Sequence, residues 1–159
     1  MIKKIDGTLL NDLSAKARSN PRLRQHYNFH ASYDEPSQRL LNAMEPGSYI
    51  RPHRHLTDPK VEAFVSVRGK LALFIFNDTG EIEQTVVFGP HEDVIGVELP
   101  PGVWHTVVAL ETGSVFYETK PGPFNPIQKK DLASWAPEEN SAEAVAYLQR
   151  LVTRCNGSI

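Results

Sequence analysis

Seven short β-prone runs occupy the middle of the chain, and their recurrence restricts the fold more than any other feature. "RLLNAM", "EAFVSVRG", "KLALFIFN", "EQTVVFG", "VIGVEL", "WHTVVAL" and "SVFYETK" follow one another between Arg39 and Lys120. They are separated by "EPGS", "RGK", "NDTG", "GPHED", "PPG" and "ETG", whose Gly, Pro, Asn and Asp residues punctuate turns. Asn77-Asp78-Thr79-Gly80 between two apolar runs predicts a hairpin. Strands this short at this spacing call for a β-sandwich or a jelly-roll barrel. Two amphipathic helices bracket them. Leu9, Leu10, Leu13 and Ala17 form a helical stripe that Asn20-Pro21 would end. Near the other end Asn140 is the expected N-cap, with Glu143 at N3. Val145, Leu148, Leu151 and Val152 make the apolar face, and Gly157 lies just past the expected end.

The 159 residues suit one domain with one core. Its expected parts are a helical and polar segment over 1–37, a barrel core over 38–120, and a C-terminal wrap and helix over 121–159. The wrap follows from Pro121–Pro137, which holds four prolines and two aromatics and so suits a covering segment better than a paired strand. A net charge of -2 without a basic run argues against nucleic acid or a membrane surface as partner. No apolar stretch approaches the roughly 20 residues that cross a bilayer. Asp6 and Asn11 interrupt "MIKKIDGTLLNDL", so no signal peptide is expected. The single cysteine, Cys155, has no partner for an internal disulfide, and a cytoplasmic location follows as the expectation.

Of the six histidines, two stand one residue apart in "PHRHLTDPKVE", Pro52 to Glu62. Side chains alternate between the faces of a strand, so His53 and His55 would share one side. Two imidazoles so placed can share an ion at about 2.0–2.1 Å from each nitrogen. Glu62 opens the next run and can return to that side after "LTDPK". In "PPGVWH", Pro100 and Gly102 shape a turn that delivers His105 to the start of an apolar run. His-x-His alone reads more readily as two exposed or locally hydrogen-bonded imidazoles, but the four residues together read as a metal site.

The spacing Gly47, five residues, His53-x-His55, Glu62, six residues, Gly69 resembles the first motif of the cupins. Pro100-x-Gly102-x-x-His105 resembles the core of the second. The interval from His55 to Glu62 is longer than cupins usually have, and Val94 and Ala109 stand where a leading glycine and a trailing asparagine are usual. More specifically, "YNFH", "QRLLNAMEPGSYIRPHRH", "KVEAFVSVRGKLALFIF", "PPGVWHTVVAL", "YETKPGPF" and "WAPEE" together resemble the WbuC-type cupin-fold metalloproteins. That family takes its name from a gene of bacterial surface-polysaccharide loci. The resemblance implies an all-β cupin double-stranded β-helix, a jelly-roll barrel with short N-terminal and C-terminal helices. It also implies His53, His55, Glu62 and His105 as ligands of one divalent ion, whether Zn, Fe(II), Mn or Ni. Barrels of this kind commonly pair through an edge strand or a swapped terminal segment, so a homodimer is expected.

Three histidines and a carboxylate around an octahedral ion leave two positions open, as catalytic sites do. The expected function is a small enzyme acting on a sugar-like or anionic metabolite by lyase, isomerase or epimerase chemistry, with a link to surface-polysaccharide biosynthesis. An Fe(II)-dependent dioxygenase and a non-catalytic metal- and small-molecule-binding module are the alternatives. Strand alternation would put Tyr49 and Arg51 beside the histidines, where the Arg51 guanidinium could hold an anionic group. Asn28, His30, Gln38, Arg39 and Asn42 make a polar group that could face a polyhydroxylated ligand, or could cap turns. His30, Tyr49 and Tyr117 are the candidates for a proton-transferring group. His26, His91 and Lys60 read as solvated, and Trp104 and Trp135 as packing residues.

Overall fold

The computed structural model describes residues 1–124 and 131–156. In chain order its elements are α1 (Gly7–Ser19), β1 (Arg24–Asn28), β2 (Ser37–Met44), β3 (Glu62–Arg68) and β4 (Leu71–Phe76). Then come β5 (Ile82–Phe88), β6 (Gly96–Leu99), β7 (Trp104–Ala109), β8 (Ser114–Pro121) and α2 (Ala142–Asn156). The strands make two antiparallel sheets, β1-β2-β8-β3-β6 and β5-β4-β7. Seven strands coincide with the expected runs. β1 does not, because "RQHYN" has no apolar alternation. It is held instead by its register on β2, from Arg24 opposite Met44 to Asn28 opposite Leu40.

The sheets close on a core of Met44, Phe64, Leu71, Leu73, Phe88, Leu99, Val107, Ala109 and Phe116. Each helix covers an outer face. The Asp6 side chain caps α1 by accepting from the Leu9 amide at 3.0 Å, and Asn20 ends the helix in an extended conformation. Its Leu13 and Ala17 pack on Leu41, Ala43 and Val115. On the other side Ala144, Leu148 and Leu151 of α2 pack on Ala72, Phe74, Phe76 and Val108. Strand β4 is therefore apolar on both faces, which explains the unbroken "LALFIF".

The start of α2 differs from the expectation. Asn140 takes a left-handed conformation with φ 68°, and Ser141 is the cap, its Oγ accepting from the Ala144 amide at 3.3 Å. Val145 is exposed, because Ala144 and Leu148 face the sheet. Gly157 and residues 125–130 of the expected wrap lie outside the described residues. The "NDTG" hairpin is present. The Asn77 Oδ1 accepts from the amides of Thr79 and Glu81, and Gly80 adopts φ 89°. Among the described residues, no helix is long and apolar enough to cross a membrane.

Candidate metal centre

The His-x-His segment is not a regular strand. His53 forms an isolated antiparallel bridge to His105, with reciprocal backbone hydrogen bonds of 3.0 and 2.9 Å. On its other side the Ala133 amide donates to Pro52 O and the Arg54 amide to Asp131 O. The segment thus lies between β7 and the part of the wrap around Leu132. This brings His53 and His55 to one cavity despite the missing strand.

All four expected ligands line that cavity, whose volume is about 350 Å³. Candidate ligand atoms of His53, His55 and Glu62 lie within 4.8 Å of one another. Glu62 opens β3 and is 2% exposed. Its Oε1 is 3.2 Å from His55 Nε2 and its Oε2 is 3.0 Å from His105 Nε2. The His53 and His105 rings are 4.5 Å apart. His53 Nδ1 lies 3.2 Å from Arg51 O, and His105 Nδ1 lies 2.9 Å from Val103 O. A carbonyl only accepts, so both Nδ1 atoms carry the proton and each Nε2 presents a lone pair unless the ring is cationic. A lone pair 3.0 Å from a carboxylate oxygen requires a proton or a metal ion between them. His55 Nε2 is buried and makes no hydrogen bond of good geometry. These residues therefore fit a cation.

Electrostatics favour the deprotonated forms of His53 and Glu62, as a metal needs. Desolvation, reinforced by His105, pushes the His53 pKa down to about 3. Burial raises the Glu62 carboxyl, but the imidazoles of His105 and His55 beside it and the charge of Lys120 outweigh it and hold it well below its ordinary range. Lys120 Nζ sits 2.8 Å from Glu118 Oε1 and 3.4 Å from Glu62 Oε1. Burial lowers the lysine, yet Glu118 and Glu62 leave its pKa raised.

Of the other expected ligand-binding residues, Asn42 lines this cavity and the rest do not. Arg51 Nε donates to Ala133 O at 3.0 Å, and its Nη1 is 3.8 Å from Glu138, so it fastens the C-terminal segment. Tyr49 donates to Pro137 O and packs against Tyr147 of α2. Asn28 is exposed at the end of β1. His30 is buried outside the cavity, its Nδ1 accepting from the Arg39 amide at 3.0 Å. Tyr117 points outward beside Phe29, because Phe116, Glu118 and Lys120 take the inward positions of β8. Gln38 closes a turn by donating to Ser32, Tyr33 and Glu35 carbonyls. Trp104 and Trp135 pack together at 6.0 Å, as expected.

Several lining residues escaped the sequence reading. His26 also lines the cavity through its place on β1, although it is exposed there as its solvated reading expects. Lys60 is 4% exposed, with Nζ donating to the carbonyls of Pro121 and Pro123 and pairing with Asp58. Glu118 and Lys120 could have been found by applying strand alternation to "SVFYETK" from Phe116. Nothing local marks Lys60.

The fold is the cupin jelly roll. Solved structures that share it include KdgF from Halomonas sp., at 17% identity and a TM-score of 0.51, over 67% of this chain and 84% of that one. The capsular polysaccharide assembling protein CapF from Staphylococcus aureus matches at 22% identity and a TM-score of 0.51, over 65% of this chain. A recombinant oxalate oxidase in complex with glycolate matches at 16% identity and a TM-score of 0.50, over 68% of this chain. The match spans 27% of the CapF chain and 55% of the oxalate oxidase chain. No curated protein sequence matches. The model of a family described as a domain of unknown function, DUF6016, matches residues 5–88, more than half of the chain, and the protein belongs to that family.

Proposed function

We propose that His53, His55, Glu62 and His105 hold one divalent metal ion, and that the protein is a small enzyme acting on a sugar-like or anionic metabolite by lyase, isomerase or epimerase chemistry. The observation that carries this reading is the Glu62 carboxylate set between His55 Nε2 and His105 Nε2 at 3.2 and 3.0 Å. The ion would supply Lewis acidity to a carbonyl or hydroxyl at its open positions. The chain supplies the rest. Backbone carbonyls of Arg51 and Val103 orient the rings of His53 and His105. Five basic side chains against four acidic ones line the cavity, so an added dication leaves it positive and suited to an acid. Its volume of about 350 Å³ is at the small end for ligand pockets and suits a metabolite, not a polymer. The WbuC-type resemblance supports a role with surface polysaccharides.

Metal analysis of protein purified without a polyhistidine tag tests the ligand set. Wild type should carry one divalent ion per chain, and His55→Ala or His105→Ala should each lose at least ten-fold in affinity. Full stoichiometric metal in either variant would rule out this site.

A further inference from the structure

Asn42 stands on β2 where the apolar core meets the polar part of the cavity. It is 4% exposed and lines the cavity, yet its Oδ1 is buried without a hydrogen-bond partner. Its cross-strand neighbours, His26 on β1 and Phe116 on β8, line the same cavity. Along β2 the positions two residues either side, Leu40 and Met44, are buried and apolar. An apolar side chain would fill position 42 without leaving a polar atom unpaired, and buried polar atoms nearly always have partners. Asn42 is therefore unused hydrogen-bonding capacity beside the cavity.

The chemistry of the partner follows from the carboxamide. It offers an acceptor oxygen and donor hydrogens, whichever way the amide is turned. An anionic oxygen could use only the donors, and the lining lysines and arginines already serve that purpose. A hydroxyl can donate to the unpaired Oδ1, which an anionic oxygen cannot do. We propose that Asn42 recognises a hydroxyl of the ligand, which makes the preferred ligand a polyhydroxylated acid of monosaccharide size. Placing the acid end near the metal rests on the function proposed above, whereas the Asn42 contact does not.

The test compares two six-carbon monocarboxylates, D-gluconate and hexanoate, by titration calorimetry of wild type, Asn42→Leu and Asn42→Ala loaded with the same metal. Wild type should prefer gluconate. Both variants should keep their metal, and the preference should fall roughly ten-fold in each. Asn42→Leu should melt no lower than wild type, because an apolar group of similar volume replaces an unpaired polar one. A wild type with no gluconate preference overturns the assignment. So does an unchanged preference in both variants, whether or not they melt lower, since that would make Asn42 structural. A wild type without bound metal defeats the metal reading instead, and the same titrations on metal-free protein still decide Asn42.

Discussion

Lys120 and Glu62 meet at 3.4 Å, a cation touching the side chain assigned to hold another cation. Two carboxylates, Glu62 and Glu118, share this ammonium, and all three side chains are largely buried. Without metal, Lys120 offsets one of the two negative charges. With metal, it repels the ion. Lys120→Met should therefore separate the two states. Metal-free protein should lose about 3 kcal/mol of stability, as expected when a buried ion pair loses one partner. Metal affinity should tighten on the order of ten-fold, because a positive charge has left the site. Denaturant melts with and without metal read the first effect, and competition with a chromophoric chelator reads the second. Weaker metal binding in the variant would mean that Lys120 orients Glu62 more than it opposes the ion.

Helix α2 is joined to the cavity wall through Glu139, just before its first turn. Glu139 Oε1 receives Arg22 Nε and Arg24 Nη2, each at 2.7 Å, and both arginines line the cavity. Burial raises the Glu139 carboxyl, but hydrogen bonding from Arg22 and the nearby charge of Arg24 outweigh it, so its pKa is lowered from 4.5. A depressed carboxyl contributes stability that is present above the unfolded value and is lost as pH falls through the folded one. Glu139→Gln should cost about 1–2 kcal/mol at neutral pH. Its melting temperature should then fall less steeply than that of wild type below about pH 4.5. Parallel slopes in the two proteins would show that Glu139 contributes nothing to acid sensitivity. The periodicity of α2 was legible in Leu148 and Leu151, but its rotation was not, because Val145 fits the same stripe and only the position of the sheet exposes it.

Among the described residues the molecule has three apolar layers independent of the candidate ligands, one between the sheets and one beneath each helix. Removing metal should leave the fold intact. An ion supplied at about 100 times its Kd adds about 2.7 kcal/mol, so chelation should lower the melting temperature by on the order of 5–10 °C with cooperativity retained. Loss of the β-sheet circular dichroism on chelation would make the metal structural. At this scale the division between sequence and structure is plain. Seven strands, the "NDTG" turn and both helices were determined locally, since apolar alternation and turn residues act within a few positions. The candidates His53, His55, Glu62 and His105 were legible because their spacing is short or bounded by a Pro-Gly turn. Asn42 was named as one of a polar group, but its selection from that group and the rest of the cavity were decided only by tertiary structure. Arg51 and Tyr49 turn to the C-terminal segment because carbonyls of Ala133 and Pro137 are there to accept from them. Asn42, His26, Glu118 and Lys120 meet because β1, β2 and β8 lie side by side although the chain runs through five other strands between β2 and β8. Each strand offers two faces, and which one turns inward depends on neighbours that are distant in sequence.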